Sequence, residues 1–429
     1  MKFFNQNTLA RLTVTATFLL FMTACQFEDI GGNTTSPVQD ETPVDTSSTT
    51  PDETTGDTAS TEQDETTTLA HYAVISTQAS DFSSGDISII SLQDYSADNV
   101  NFSGGSDTAI STNGENFYRI GRYQQDNITK FSINDPENNI WQYSANGEGE
   151  ESTNPYKLVV KNDTTAYLIR YGHAKVWIID PSAETTETFK TGEIDLSAYA
   201  GDDNIPEVTD ALLIDNKLYL LIQNLDRDAG WVPGQAYLAI FDTSDDTEVE
   251  TNSEAATPKG VALKTKNPQK MNIVEGGSTI YIASVGRYGS SYSQRAPEFT
   301  GGIESVNMTT YDTAIVIDDG DDTTHPYGNI NDIAVLNDSR GYFVGYTAYM
   351  DTALYSFNPS TMEVDATPLM VNKDISDIEI GPLGNLWIAN RGESGITIID
   401  TVDNSVLKEL IDTDLVPYDI EFISVPQTN

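Results

Sequence analysis

An all-β fold, seven four-stranded units closed into a ring, is predicted by three observations. Residues favouring strands and tight turns (Thr, Ser, Asp, Asn, Gly, Tyr, Ile) are plentiful, whereas the helix formers Lys, Arg and Leu are scarce. An aromatic-rich apolar strand recurs seven times from His71 onward, and a second strand ending in a hydrophobic residue and a polar turn former follows each one. A third strand precedes each aromatic strand except the first, and one such strand is left over at the C-terminus. Together these describe a seven-bladed β-propeller.

The N-terminus is read apart from the repeats. Lys2 and Arg11 precede an apolar run from Leu12 to Met22 that ends in Thr23-Ala24-Cys25. Eleven residues are too few to span a bilayer as a helix, so 1–24 reads as an export signal. Met22-Thr23-Ala24-Cys25 resembles the lipobox of bacterial lipoproteins, and the resemblance implies cleavage before Cys25 and acylation of its thiol. Met at the first lipobox position departs from the usual Leu. Gln26 is not the Asp that retains many such proteins on the inner membrane, so an outer-membrane location is expected. Several acyl chains on one residue give stable anchoring. Cys25 is the only cysteine, so the fold must hold without disulfides.

Residues 25–69 are expected to form a tether. From Gln26 to Leu69 the chain has 11 acidic residues, no basic ones and little to bury, so ordering it would not be offset. Random-coil scaling gives a reach of roughly 35–40 Å. Residues 70–429 form the expected propeller and carry a net −35 of the chain's −44. Such acidity excludes nucleic acid as a partner and argues against electrostatic docking on anionic lipid.

The aromatic strands begin at Tyr72, Phe117, Ala166, Leu218, Ile280, Tyr342 and Leu386. The second strands end at Ile90-Ser91, Ile133-Asn134, Ile179-Asp180, Phe241-Asp242, Val306-Asn307, Phe357-Asn358 and Ile399-Asp400. Asp and Asn suit that place because their side chains bond the backbone two residues on. These marks are 43, 46, 62, 65, 51 and 42 residues apart, so blades four and five carry insertions. Pro417 to Ile423 is expected to be the innermost strand of the blade that 71–102 begins, closing the ring and removing free sheet edges. A monomer is expected.

The segment Leu386-Trp-Ile-Ala-Asn390 followed by Ile396-Thr-Ile-Ile-Asp400 resembles the YVTN family of propeller repeats, in which a "YVAN" strand leads to a "V-x-V-I-D" strand. Val176-Trp-Ile-Ile-Asp180 resembles it in part. The resemblance implies the fold and little about function, since propellers host many activities.

Two sets of residues are candidates for a site. The inner strands begin near Thr108, Lys157, Asp210, Asn272, Asp332, Asp377 and Asp419, forming a ring at one mouth of the channel. Asp210, Asn272, Asp332, Asp377 and Asp419 offer oxygens to a hard divalent cation such as calcium, as some lactonase propellers do; alternatively they hydrate the channel and start the strands. Five of the mature chain's eight arginines, Arg122, Arg170, Arg227, Arg287 and Arg391, follow an aromatic strand, three of them beside Tyr123, Tyr171 and Tyr288. They could make inter-blade salt bridges or offer a cationic, aromatic rim to an anionic or planar partner. The insertions 224–234 and 286–301 add Trp231, Tyr292, Arg295 and Phe299 to that face.

Catalytic motifs are lacking. His71, His173 and His325 are far apart, and there is no G-x-S-x-G, no H-E-x-x-H and no phosphate loop. Asp318-Asp-Gly-Asp-Asp322 lacks EF-hand spacing and reads as a solvated turn. The leading expectation is a membrane-anchored, non-enzymatic propeller that captures a ligand or partner protein on its loop-rich face. The alternative is a lactonase-like hydrolase with a divalent metal at the channel mouth.

Overall fold

The computed structural model describes residues 68–100, 104–251, 257–289 and 295–427. The export signal, Cys25 and residues 26–67 of the expected tether lie outside them, as does Tyr292, whereas Leu69, expected to end the tether, is the first residue of a strand. Seven antiparallel sheets of four or five strands follow one another, and in each the aromatic strand pairs with an inner strand on one side and with the strand that follows it on the other. The inner strands are Val416–Pro426, Thr108–Asn113, Pro155–Asn162, Val208–Ile214, Pro268–Ile273, Asn329–Asn337 and Ile375–Ile380, for blades one to seven.

Ring closure is as expected. Val416–Pro426 pairs along its length with Leu69–Gln78, with Tyr72 opposite Ile423 and Ser76 opposite Asp419. Strand pairing therefore joins the two ends of the domain, leaving no free inner edge at the seam.

The core lies between the blades. Seven hydrophobic clusters each combine residues of two neighbouring blades, and one of them unites blades seven and one through Trp387, Ala389, Ala73 and Ile75. The aromatic strands are buried on both faces, as a sheet packed between two others requires. Their tyrosines keep a polar handle at the blade boundary: Tyr167 donates to Asp246 of blade four at 2.7 Å, and Tyr342 to Asn404 of blade seven at 2.9 Å.

The turn chemistry also follows the sequence. Asp180, Asp242, Asn307, Asn358 and Asp400 each accept the amide two residues on at 2.8–3.0 Å. Ser91 does so in blade one, and in blade two Ser132, not Asn134, is the acceptor. Both insertions carry short backbone pairings. Leu225–Asp226 pairs with Val232–Pro233, and Arg287 bridges to Glu298. Arg295 of the second insertion donates to the carbonyls of Ala229 (2.8 Å) and Gly230 in the first, so the two loops are joined.

Candidate functional site

Register identifies the ring at the channel. Seven residues occupy the same pairing position on the inner strands: Ala109, Lys157, Asp210, Lys270, Asp332, Asp377 and Asp419. In all but blade two a bulge lies just before this residue. All seven line a cavity of about 180 Å³ at the channel mouth. Five of the expected ring residues are therefore in place. Blade two contributes Ala109 in place of Thr108, and blade five contributes Lys270 in place of Asn272. Asn272 sits two residues further along its strand, where its Oδ1 accepts the Val335 amide at 3.0 Å.

The ring aspartates tie one blade to the next. Asp210 accepts the amide of Met271, Asp332 that of Ile378, Asp377 that of Ile420 and Asp419 that of Ile110, each at 2.8 Å. Every one of these amides belongs to the inner strand of a following blade. Two lysines then span the channel. Lys157 lies 2.8 Å from Asp210 and 4.0 Å from Glu421. Lys270 lies 3.1 Å from Asp332, 2.6 Å from Asp377 and 2.9 Å from Glu379.

Carboxylates outnumber cations in this cavity. Asp210, Asp332, Asp377, Glu379, Asp419 and Glu421 face Lys157, Lys270 and Arg122. Burial and mutual repulsion disfavour full ionisation, an effect the lysines offset only in part. Burial, then the charge of Asp377, pushes Asp419 up to about 6. Burial, with Asp419 and Glu379 nearby, pushes Glu421 up to about 8 despite Lys157. Burial likewise raises Asp332 well above the usual carboxylate range, and it raises Glu379. Of the six, Asp419 has no ion pair among the described residues, and Glu421 has only the 4.0 Å contact to Lys157.

The mouth itself is aromatic and polar. The Arg122 guanidinium lies 3.9 Å over the Tyr156 ring and 5.9 Å from that of Tyr418, and Asp107 pairs with it at 3.1 Å. Tyr171 stacks on Tyr156 at 4.8 Å. Gln269, Asn331 and Ser376 complete the lining, and Asn331 Oδ1 is a buried acceptor with no partner among the described residues.

The other rim arginines are spread around this face, each beside a carboxylate, although Arg170 Nε and Nη1, Arg287 Nε and Arg391 Nε have no hydrogen-bond partner among the described residues. Arg170 is buried, paired with Glu150 and 4.2 Å over Trp177. Arg227 pairs with Glu207 at 2.7 Å and lies 5.0 Å from the half-exposed Trp231. Arg287 pairs with Glu298 at 2.7 Å and Arg391 with Asp374 at 3.8 Å. Glu298 lies in the same blade as Arg287, whereas Glu150, Glu207 and Asp374 lie in the connections that lead from one blade into the inner strand of the next. Tyr288 packs edge-on to Tyr346 at 4.6 Å, while Tyr123 is exposed. None of these, Arg122 aside, lines the cavity.

The donor set does not fit a divalent cation. Four ring carboxylates each hold a neighbouring blade's amide, and two ammonium groups lie among them. No group of three His, Cys, Asp or Glu arranged to hold a metal occurs among the described residues. Lys270, Glu379, Glu421, Tyr156 and Tyr418 were not foreseen from the sequence. A signal for them exists: Pro155, Pro268 and Pro417 each stand two residues before the ring residue, and Asp377-x-Glu379 and Asp419-x-Glu421 share one strand face.

No protein-family model matches the chain, and no curated protein matches it in sequence. Solved structures share the fold. A Bacteroides fragilis protein proposed to be a 6-phosphogluconolactonase is 12% identical, with a TM-score of 0.55 over 85% of this chain and 99% of that one. The periplasmic gluconolactonase of Pseudomonas aeruginosa is 10% identical, with a TM-score of 0.56 over 84% of this chain and all of that one. A Bacteroides uniformis protein, also proposed to be a 6-phosphogluconolactonase, is 13% identical with a TM-score of 0.54, over 82% and 99%. Likeness at this level establishes the seven-bladed propeller and leaves the chemistry to the site.

Proposed function

We propose that the chain is a lactonase-like hydrolase acting in the channel-mouth cavity, and that a lipid on Cys25 displays it on the cell envelope. One observation carries the reading. The cavity places two carboxylates of separated proton affinity, Asp419 near 6 and Glu421 near 8, on one face of one strand, and a guanidinium lines the same cavity. Neighbouring acids pushed apart in this way can divide the roles of base and acid at neutral pH.

In this reading Asp419, largely ionised at pH 7, takes a proton from water as the water oxygen bonds to the lactone carbonyl carbon. Arg122, held by Asp107 and Tyr156, faces the oxyanion that forms. The ring C–O bond then breaks, and its oxygen takes the proton of Glu421. The product is a hydroxy acid, and solvent returns the proton from Asp419 to Glu421. No metal enters, because the residues present do not fit one. The similarity of the fold to proteins named for sugar-lactone hydrolysis supports the substrate class.

The experiment is a ring-opening assay with glucono-δ-lactone at pH 7, corrected for the spontaneous reaction. Asp419→Asn is expected to lower kcat by about 100-fold. A purified chain that never exceeds the spontaneous rate overturns the hydrolase. The second reading, capture without turnover, is favoured by the exposed Trp231 and Tyr123 on the joined insertions' face. It predicts no turnover and loss of a bound partner on Trp231→Ala.

A further inference from the structure

The cavity's charge carries a statement about what it admits. Six carboxylates face three cations there, and each cation lies beside at least one of the domain's own carboxylates. Lys157 is held by Asp210, Lys270 by Asp332, Asp377 and Glu379, and Arg122 by Asp107. Around the rim Arg170, Arg227, Arg287 and Arg391 each pair with a nearby carboxylate, and Arg295 is bound to two carbonyls. A phosphate ester carries close to two negative charges at neutral pH and needs unspent cations or amides. Here it would meet acceptors in excess, inside a domain of net charge −35 whose field opposes its approach.

A hydroxylated neutral ring has the opposite character. A carboxylate accepts hydrogen bonds and a protonated carboxyl still offers its carbonyl oxygen, so a ligand rich in O–H donors suits a cavity rich in carboxyl groups. The unpartnered Asn331 Oδ1 adds one more acceptor on the same wall.

We propose that this site selects an uncharged sugar lactone and rejects its phosphate ester. The inference rests on the hydrolase reading and narrows it, since two of the structures with this fold are proposed to act on the phosphorylated compound.

The test compares kcat/KM for glucono-δ-lactone and 6-phosphoglucono-δ-lactone on the purified chain, alongside thermal shifts with glucose and glucose 6-phosphate. The neutral lactone is expected to be favoured by about tenfold or more. Glu379→Gln, which keeps the side chain's shape and removes an ionisable acid from the cavity, is expected to reduce that ratio. Equal or better turnover of the phosphate ester, or a larger shift with glucose 6-phosphate, overturns the inference and leaves the hydrolase standing if turnover is seen. Turnover of neither lactone with a shift for glucose alone overturns the hydrolase and keeps the selectivity. Neither turnover nor shift overturns both.

Discussion

The Lys270 ammonium lies 2.6 Å from the Asp377 carboxylate, so a side chain from blade five reaches blade seven across the channel. The same nitrogen is 3.1 Å from Asp332 of blade six, which makes Lys270 a three-blade clamp at the ring's centre. Removing it leaves the buried Asp332 and Asp377, and the partly exposed Glu379 beside them, without that counter-charge. Lys270→Met is expected to destabilise the domain by about 3 kcal/mol or more, read from chemical denaturation. A loss below about 0.5 kcal/mol would mean that the clamp is not structural.

The ring aspartates predict a graded pair of effects. Asp332→Asn keeps an acceptor for the Ile378 amide, whereas Asp332→Ala orphans that amide and is expected to cost about 1–3 kcal/mol more. Equal stability of the two variants would show that the blade-to-blade bond contributes nothing.

Stability should fall as pH rises through the neutral range. Glu421 titrates near 8 in the folded state against 4.5 in its ordinary state, so between these values the folded chain holds a proton that the unfolded chain has lost. Its stabilising contribution is complete below about 4.5 and gone above about 8, with a slope of up to about 1.4 kcal/mol per pH unit. Asp319, buried with one oxygen lacking a partner among the described residues, is pushed up to about 7 and acts in the same direction. The Tm is therefore expected to be higher at pH 5 than at pH 8, and Glu421→Gln is expected to flatten the difference. A Tm that rises over this interval would contradict the assignment.

Closure predicts what truncation does. Ending the chain at Leu415 removes Val416–Pro426 and bares the Leu69–Gln78 edge, while blade one loses Ile420 and Ile423 from its packing. The truncated chain is expected to aggregate or to unfold without a cooperative transition, as seen by size-exclusion chromatography and circular dichroism. A stable monomer would show that the seam is dispensable.

The architecture was legible because each blade repeats the same physical demands. Trp387 and Tyr219 mark strands buried on both faces, Asp180 and Asp400 mark turns, and the unpaired strand at Pro417 requires a partner at the other end. The ring was legible in five blades, where the first charged side chain of the inner strand (Asp419, Lys157, Asp210, Asp332 or Asp377) is the ring residue. It was misread in blade five, because Pro268-Gln-Lys-Met-Asn-Ile273 offers both Lys270 and Asn272 on one face and only the pairing register chooses between them. The rim arginines showed in the sequence as a cluster beside tyrosines. Their partners Asp107, Glu150, Glu207, Glu298 and Asp374 did not, because those pairings form through loop geometry, not spacing.

The pH dependence of kcat/KM for glucono-δ-lactone tests the central claim most directly. With Asp419 as base and Glu421 as acid, the profile should rise through about 6 and fall through about 8. Asp419→Asn should abolish the acidic limb along with most of the rate, and Glu421→Gln should abolish the alkaline limb. A rate above the spontaneous reaction that keeps its full profile in both variants would place the chemistry elsewhere on the propeller and contradict the account.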